Sequence, residues 1–362
     1  MDELTVYRRP GGFAGWPANY GLWRFDQELV AVFVVGHVAA SDHLHARDMG
    51  RPFAPVQVRS TDGGVTWTEE PFTADLRGVD SLSADEHVIP ELRAAGRLTS
   101  EAPVDGELDF ERDAVLCART GLFEGAESWY YRSADAAKTW QGPFRIPGFD
   151  RAGVAARTDV VPLGRRSALW MLSSPAGTAG EGGTICVRTD DGGASFELRS
   201  VVQEEDGDGY AIMPSTVRLP DGAILTVVRR PSQLESWRSE DDGDSWLTRQ
   251  DLARTGVHGN PASLVTVPGG AVAVYGVRDA PYRMAARFTS DGGASWGTET
   301  VLVRGIGTPD FGYPRTVDLP DGRYLTIYYR ADTPDGDRRI CAVTWHPNEL
   351  AGSPATKGNT QQ

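Results

Sequence analysis

The chain has 362 residues, 40% of them apolar, with 42 glycines, 23 prolines and a formal net charge of −14. That balance describes a turn-rich globular protein; it excludes a disordered chain, and no apolar run approaches the ~18 residues of a membrane span. The acidic surplus excludes a polyanion as ligand, because no basic stripe is present to neutralise phosphates, so neither nucleic acid nor a membrane is an expected partner.

In chain order, the sequence opens on Met1-Asp2-Glu3-Leu4 without a basic or apolar leader, which reads as a cytoplasmic protein. Leu4 to Arg8 is a short strand, and Gly15 to Trp23 is the first inner strand, with Trp16 at its start where an indole could stack on a sugar. A long loop from His37 to Pro55 then packs His37, Asp42, His43, His45, Arg47, Asp48 and Arg51 together. Imidazole titrates near neutrality, so His43 and His45 are candidate proton carriers or ligand contacts. Their i, i+2 spacing is weak evidence for a metal, and no metal or cofactor is expected. Residues 71–113 form a long acidic connection that could fold a short helix or flap over a binding mouth. Cys117, Cys186 and Cys341 lie far apart with no CxxC pairing and are expected to be buried thiols.

One octapeptide recurs along the chain: Ser60-Thr-Asp62-Gly-Gly64-Val-Thr-Trp67, Ser133 to Trp140, Thr189 to Phe196, Ser239 to Trp246 and Thr289 to Trp296. The closing aromatics are 73, 56, 50 and 50 residues apart. In each copy the Asp can accept backbone N–H bonds within a turn, a Gly can take positive φ, and the aromatic can bury against a neighbouring sheet. A second repeat, Pro214 to Gly222, returns as Pro314 to Gly322, and Pro268-Gly269-Gly270 fills the corresponding turn between them. Each Pro-containing turn joins two β-branched runs as a hairpin, and the octapeptide joins the next two strands. Four antiparallel strands per ~50 residues make a propeller blade.

The prediction is an all-β chain: one six-bladed β-propeller over residues 1–350 with four-stranded blades, its last blade closed by the N-terminal strand, and a disordered tail over 351–362. In such a meander the short turns crowd one rim. The ends of the second strands and the loops that follow them converge on the other, where ligands are expected. Arg230, Arg278 and Arg330 each lie eight residues after a turn glycine and are predicted to meet at that mouth, with Arg229 as a fourth candidate. Strand alternation forbids Arg229 and Arg230 from both facing inward. Guanidinium groups grip carboxylates bidentately, so the predicted ligand is anionic. His258 with Asn260 is a further polar pair on this rim, equally open to a structural role.

The octapeptide resembles the Asp-box of the sialidase superfamily, and the resemblance spans nearly the whole chain. It implies a sialidase-like fold and a carbohydrate ligand. It also implies that Tyr313, in Asp310-Phe-Gly-Tyr313-Pro-Arg315, stands where sialidases carry their nucleophile, and that Asp48 or Asp42 supplies the general acid. Arg315 is an additional ligand contact on that segment. Two departures stand out: the first carboxylate-binding arginine of sialidases has no clear counterpart near Arg8-Arg9-Pro10, and Met213 occupies the place of the Glu beside the tyrosine. The leading expectation is an exo-acting glycoside hydrolase on an acidic or modified sugar, with Tyr313 or Asp310 as nucleophile or base and Asp48 or a loop histidine such as His45 as acid. The alternatives are a uronate lyase or isomerase, and a non-catalytic sugar-acid-binding propeller.

Overall fold

The computed structural model describes residues 3–41, 43–74, 108–175 and 180–350. Their strands form six antiparallel sheets whose inner strands pack against one another around an axis, a six-bladed β-propeller. Blade four (Ile212–Arg218, Ile224–Arg229, Gln233–Ser239, Leu247–Arg254) and blade five (Ala262–Val267, Gly270–Val277, Arg283–Thr289, Thr300–Val303) show the unit: four strands in sequence order from axis to outer edge. Blade six takes Gly312–Asp318, Tyr324–Arg330 and Arg339–Trp345 from the C-terminal end, and Glu3–Tyr7 pairs with Arg339–Trp345 to complete it. The ring is thus closed by strands from both ends of the chain.

One expectation is revised here. The first inner strand is broken: Gly12–Gly15 and Gly21–Phe25 both pair with Glu28–His37, and a tight turn at Pro17–Asn19 separates them. Pro17 removes a ladder donor and Trp16 sits in the left-handed region at φ 55°, so the strand cannot run through. In blade two the described strands are Ala114–Arg119, Ser128–Ser133 and Gln141–Ile146; most of the 71–113 connection, and the 351–362 tail, lie outside the described residues.

The octapeptide turns are built as their residues dictate. In the first copy Ser60 Oγ donates to Asp62 Oδ1 (2.8 Å) and accepts from Gly64 N (2.8 Å), while Thr66 N donates to the same carboxylate (2.9 Å). These donors hold the Asp62 carboxyl at about 2, below its ordinary value. Gly64, at φ 89°, sits against Leu325 of blade six so closely that a Cβ would overlap that side chain. Three of the closing indoles tie their blade to the one before it: Trp140 donates to Gln57 Oε1, Trp246 to Ser200 Oγ and Trp296 to Ser236 Oγ. Apolar strand residues fill the seams, as Val272, Val274 and Met284 of blade five do against Tyr328 and Val343 of blade six. All three cysteines are buried and free. No helix among the described residues is long and apolar enough to cross a membrane.

Candidate active site

Strand pairing, rather than turn position, decides which arginines reach the mouth. Ile224 pairs with Ser239 and Ala271 with Thr289, and Ser239 and Thr289 each open an octapeptide, so blade five runs 47 residues behind blade four in register. Val267 pairs directly with Gly270 across a two-residue turn, whereas Arg218 pairs with Ile224 across a longer one. Counting from the turn glycine therefore misplaces Arg278 by one position, and one position reverses the face. Arg229 and Arg278 share a face; Arg230 and Arg330 take the opposite one.

Arg230 is buried beside Glu235 (3.5 Å) and pairs with Asp206, and Arg330 pairs with Glu3 (2.8 Å) and Asp332 (2.9 Å). Both are neutralised structural cations away from the mouth, which corrects the expectation of three converging arginines. Arg229 and Arg278 are 7% and 4% exposed, and among the described residues no carboxylate lies within ion-pair distance of either. Their donors go to main-chain carbonyls: Arg229 Nη2 to His258 O (2.6 Å), Arg278 Nη1 to Gly259 O (2.7 Å) and Arg278 Nη2 to Phe311 O (2.8 Å). Burial is the largest influence on Arg229 and opposes its charge, while the hydrogen bond to Tyr313 and the Glu181 carboxylate favour it, and the guanidinium stays charged.

Tyr313 packs against both of these guanidinium groups. Arg229 Nη1 donates to its hydroxyl at 3.1 Å, and the Arg229 and Arg278 guanidinium carbons lie 5.7 and 5.6 Å from its ring centre. The sulfur of Met213 accepts a second contact from Arg229 Nη1 at 3.3 Å. Tyr313 and Met213, 100 residues apart, occupy the same place in blades six and four, and both are left-handed, at φ 53° and 50°. Such backbone strain persists only where the surrounding structure imposes it, and Trp16, also before a proline, shares it at φ 55°.

The loop of blade one delivers His45 to the same place. His45 Nδ1 lies 2.7 Å from Asp310 Oδ1, and the His45 ring meets Tyr313 edge-on at 6.3 Å. The carboxylate requires a proton on Nδ1, which leaves the Nε2 lone pair of the neutral ring free. Burial is the largest influence on His45 and lowers its pKa, with Arg278 and Arg47 adding to it and Asp310 opposing. Asp310 also accepts from Tyr329 Oη (2.7 Å), Arg338 Nε (2.9 Å) and the Ala46 amide (3.1 Å). Burial alone would raise its carboxyl; the His45 contact, the Arg338 charge and the Tyr329 hydroxyl hold it well below the ordinary range. With both oxygens saturated, Asp310 is an orienting carboxylate for His45 and not a free nucleophile, which corrects that expectation.

The remaining predicted contacts have other partners. Asp48 caps its own loop by accepting from Gly50 N (2.9 Å), His43 is exposed with its amide on Ser41 Oγ, and Asp42 lies outside the described residues. Trp16 is 1% exposed, stacked on Phe13 at 4.6 Å with Arg47 over its ring at 5.2 Å, so no face remains for a sugar. His258 contributes its carbonyl, not its imidazole, to the mouth. Arg315, two residues deeper along its strand than Tyr313, shares an axial cavity of about 260 Å³ with Asp159, Ser215, Ser263 and Thr316. Among the described residues no group of three or more His, Cys, Asp or Glu side chains could hold a metal ion. Sequence reasoning missed Tyr329 and Arg338. Tyr329 lies 100 residues after Arg229, and the displacement relating Pro214 to Pro314 would have found it; Arg338, in a loop, left no such signal.

The comparisons agree with this architecture. The family model of the BNR repeat-like domain matches residues 115–327. A search by sequence among curated proteins finds no match. Among solved structures, a protein of unknown function from Dyadobacter fermentans is similar over 95% of this chain and 97% of its own, with 19% identity and a TM-score of 0.70. The α-L-arabinanase of Penicillium chrysogenum, solved with arabinobiose, is similar over 97% and 99%, with 14% identity and a TM-score of 0.56. The intramolecular trans-sialidase of Ruminococcus gnavus, solved with oseltamivir carboxylate, is similar over 96% of both chains, also with 14% identity and a TM-score of 0.56. Identities this low speak for the fold alone. The repeated turns, the six blades and the family match together place this chain in the BNR repeat-like family of the sialidase-like superfamily.

Proposed function

We propose that this protein is a glycoside hydrolase acting in exo fashion on a sugar that carries an acidic group. The observation that supports it is the pair Arg229 and Arg278: two buried guanidinium groups with no carboxylate at ion-pair distance among the described residues, both packed against the Tyr313 phenol. Burying a charge is unfavourable until it is paired, so a ligand carboxylate completes the arrangement. Tyr313 Oη then attacks the anomeric carbon as the glycosidic C–O bond breaks, and water later hydrolyses the glycosyl-tyrosine. Both cations favour negative charge on the phenolic oxygen as it develops. His45, presenting Nε2, exchanges the proton with the reacting oxygens, and Asp310 orients it.

A second reading is elimination from a uronate. Asp310 is saturated and Met213 stands where a carboxylate would assist the phenol, which leaves an imidazole, a phenol and two guanidinium groups. Those suffice to remove a proton α to a neutralised carboxylate. A screen of aryl glycosides and uronate oligosaccharides separates the two: release of reducing sugar alone indicates hydrolysis, and ultraviolet absorbance of an unsaturated uronate indicates elimination. Binding without either product supports the non-catalytic alternative. Tyr313→Phe and Arg278→Ala should each lower turnover by about 10²-fold or more. Full activity in both would remove the site from consideration.

A further inference from the structure

The mouth contains a side chain whose work is not explained by contact with a ligand. Asn260, fully buried at the start of blade five, reaches across to blade six. Its Oδ1 accepts from the Tyr313 amide at 3.0 Å, and its Nδ2 donates to Phe311 O at 3.0 Å. Arg278 Nη2 donates to the same carbonyl at 2.8 Å. The amide therefore spans the turn Asp310-Phe311-Gly312-Tyr313, which sends Asp310 to His45 at one end and Tyr313 to Arg229 at the other. The turn includes two residues of positive φ, Gly312 at 110° and Tyr313 at 53°. A tyrosine rarely holds such a conformation unless its surroundings impose it.

The space around Asn260 is shaped for it. A Cβ on Gly276, at the end of the second strand of blade five, would lie 2.5 Å from Asn260 Nδ2, and a Cβ on Gly312 would overlap the same amide. At the Gly276 position blade four carries Arg229 and blade six carries Tyr329, by the strand pairing given above. Glycine replaces a mouth-facing side chain there and leaves room for the asparagine.

We propose that Asn260 is a positioning residue: inserted between Gly276 and Gly312, it locks the Asp310–Tyr313 turn so that the phenol and the His45–Asp310 pair face one ligand together. The proposal rests on the reading of Tyr313 as a working group of the mouth, but it is tested without turnover. The full chain is labelled with 3-fluorotyrosine, and the Tyr313 fluorine resonance is identified by its loss in Tyr313→Phe. Asn260→Ala is expected to shift or broaden that line while the lines of Tyr7 and Tyr130, in blades six and two, stay in place. Gly276→Ala, which crowds the asparagine without removing it, is expected to give the same signature. Binding of galacturonic acid by each variant should weaken at least tenfold.

An unmoved Tyr313 line in folded Asn260→Ala overturns the proposal, as does a general displacement of all tyrosine lines. Should Asn260→Ala not fold, Gly276→Ala decides: an unmoved Tyr313 line in that variant overturns it equally. A wild-type chain that binds and converts no sugar acid counts against the hydrolase reading, while the fluorine spectra still settle the role of Asn260.

Discussion

Asp159 offers a direct measurement of how the propeller axis handles charge. It begins the inner edge of blade three and is 5% exposed, accepting from Thr216 Oγ1 at 2.8 Å and from Thr216 N at 3.2 Å. Burial is the dominant influence and raises its pKa from 3.8 to about 7, against the opposing pull of Arg315 and the Thr216 bonds. An acid whose pKa rises on folding holds its proton in the native state after the unfolded chain has lost it. Stability is therefore lost as pH climbs from about 4 to about 7, by about 4 kcal/mol in all. Asp159→Asn removes this pH dependence and keeps a group that can hydrogen-bond with Thr216. Arg315 loses a neighbouring negative charge in the variant, so stability at a single pH is not diagnostic, but its change with pH is. Urea unfolding of both proteins at pH 5 and pH 8 should show the variant gaining roughly 2 to 3 kcal/mol on wild type between the two. A gain below about 0.5 kcal/mol would mean that the carboxylate is solvated through the axial cavity, and the reasoning would fail.

Three further outcomes are expected. Because burial lowers the His45 pKa, the imidazole is neutral at pH 7; kcat/KM on a sugar acid should hold steady as pH falls to about 6.5 and decline only below it, with the limb absent in His45→Gln. Ala136 holds φ 59° where three of the other octapeptide turns have glycine, so Ala136→Gly should raise stability by about 1 kcal/mol in a thermal or urea melt; a loss would show that no strain resides there. Removing residues 1–8 strips the strand that pairs Thr5 with Cys341, whose thiol burial pushes up to about 12. The truncated ring should melt earlier and its Cys341 react with an aromatic disulfide at least 100-fold faster, whereas an unchanged rate would place ring closure elsewhere.

The scaffold was legible because its signals are local. Ser60, Asp62, Gly64 and Trp67 form a turn whose donors and acceptors lie within eight residues, and four more copies mark five of the six blades, the sixth following from the second repeat at Pro314 to Gly322. Leu4 to Arg8 was readable as the closing strand because blade six otherwise had too few strands. The mouth was harder. Tyr313, His45, Asp310, Arg229 and Arg278 were all visible as candidates, but so were Arg230, Arg330, Asp48, His43 and Trp16. What separated them was strand parity and burial, and neither is a property of a short segment.

One example shows the limit. The two-residue turn before Gly270 is shorter than the turn before Ala223, and that single difference sends Arg278 inward while Arg230 and Arg330 turn to carboxylates of their own. Residue type and repeat spacing alone were enough for the six blades, since in all but the last, which borrows its outer strand from the N-terminal end, strands pair with their sequence neighbours. The choice of side chains that meet at the mouth belonged to the closed ring, because His45 and Asp310 are 265 residues apart and only the circular arrangement of sheets brings them within 2.7 Å.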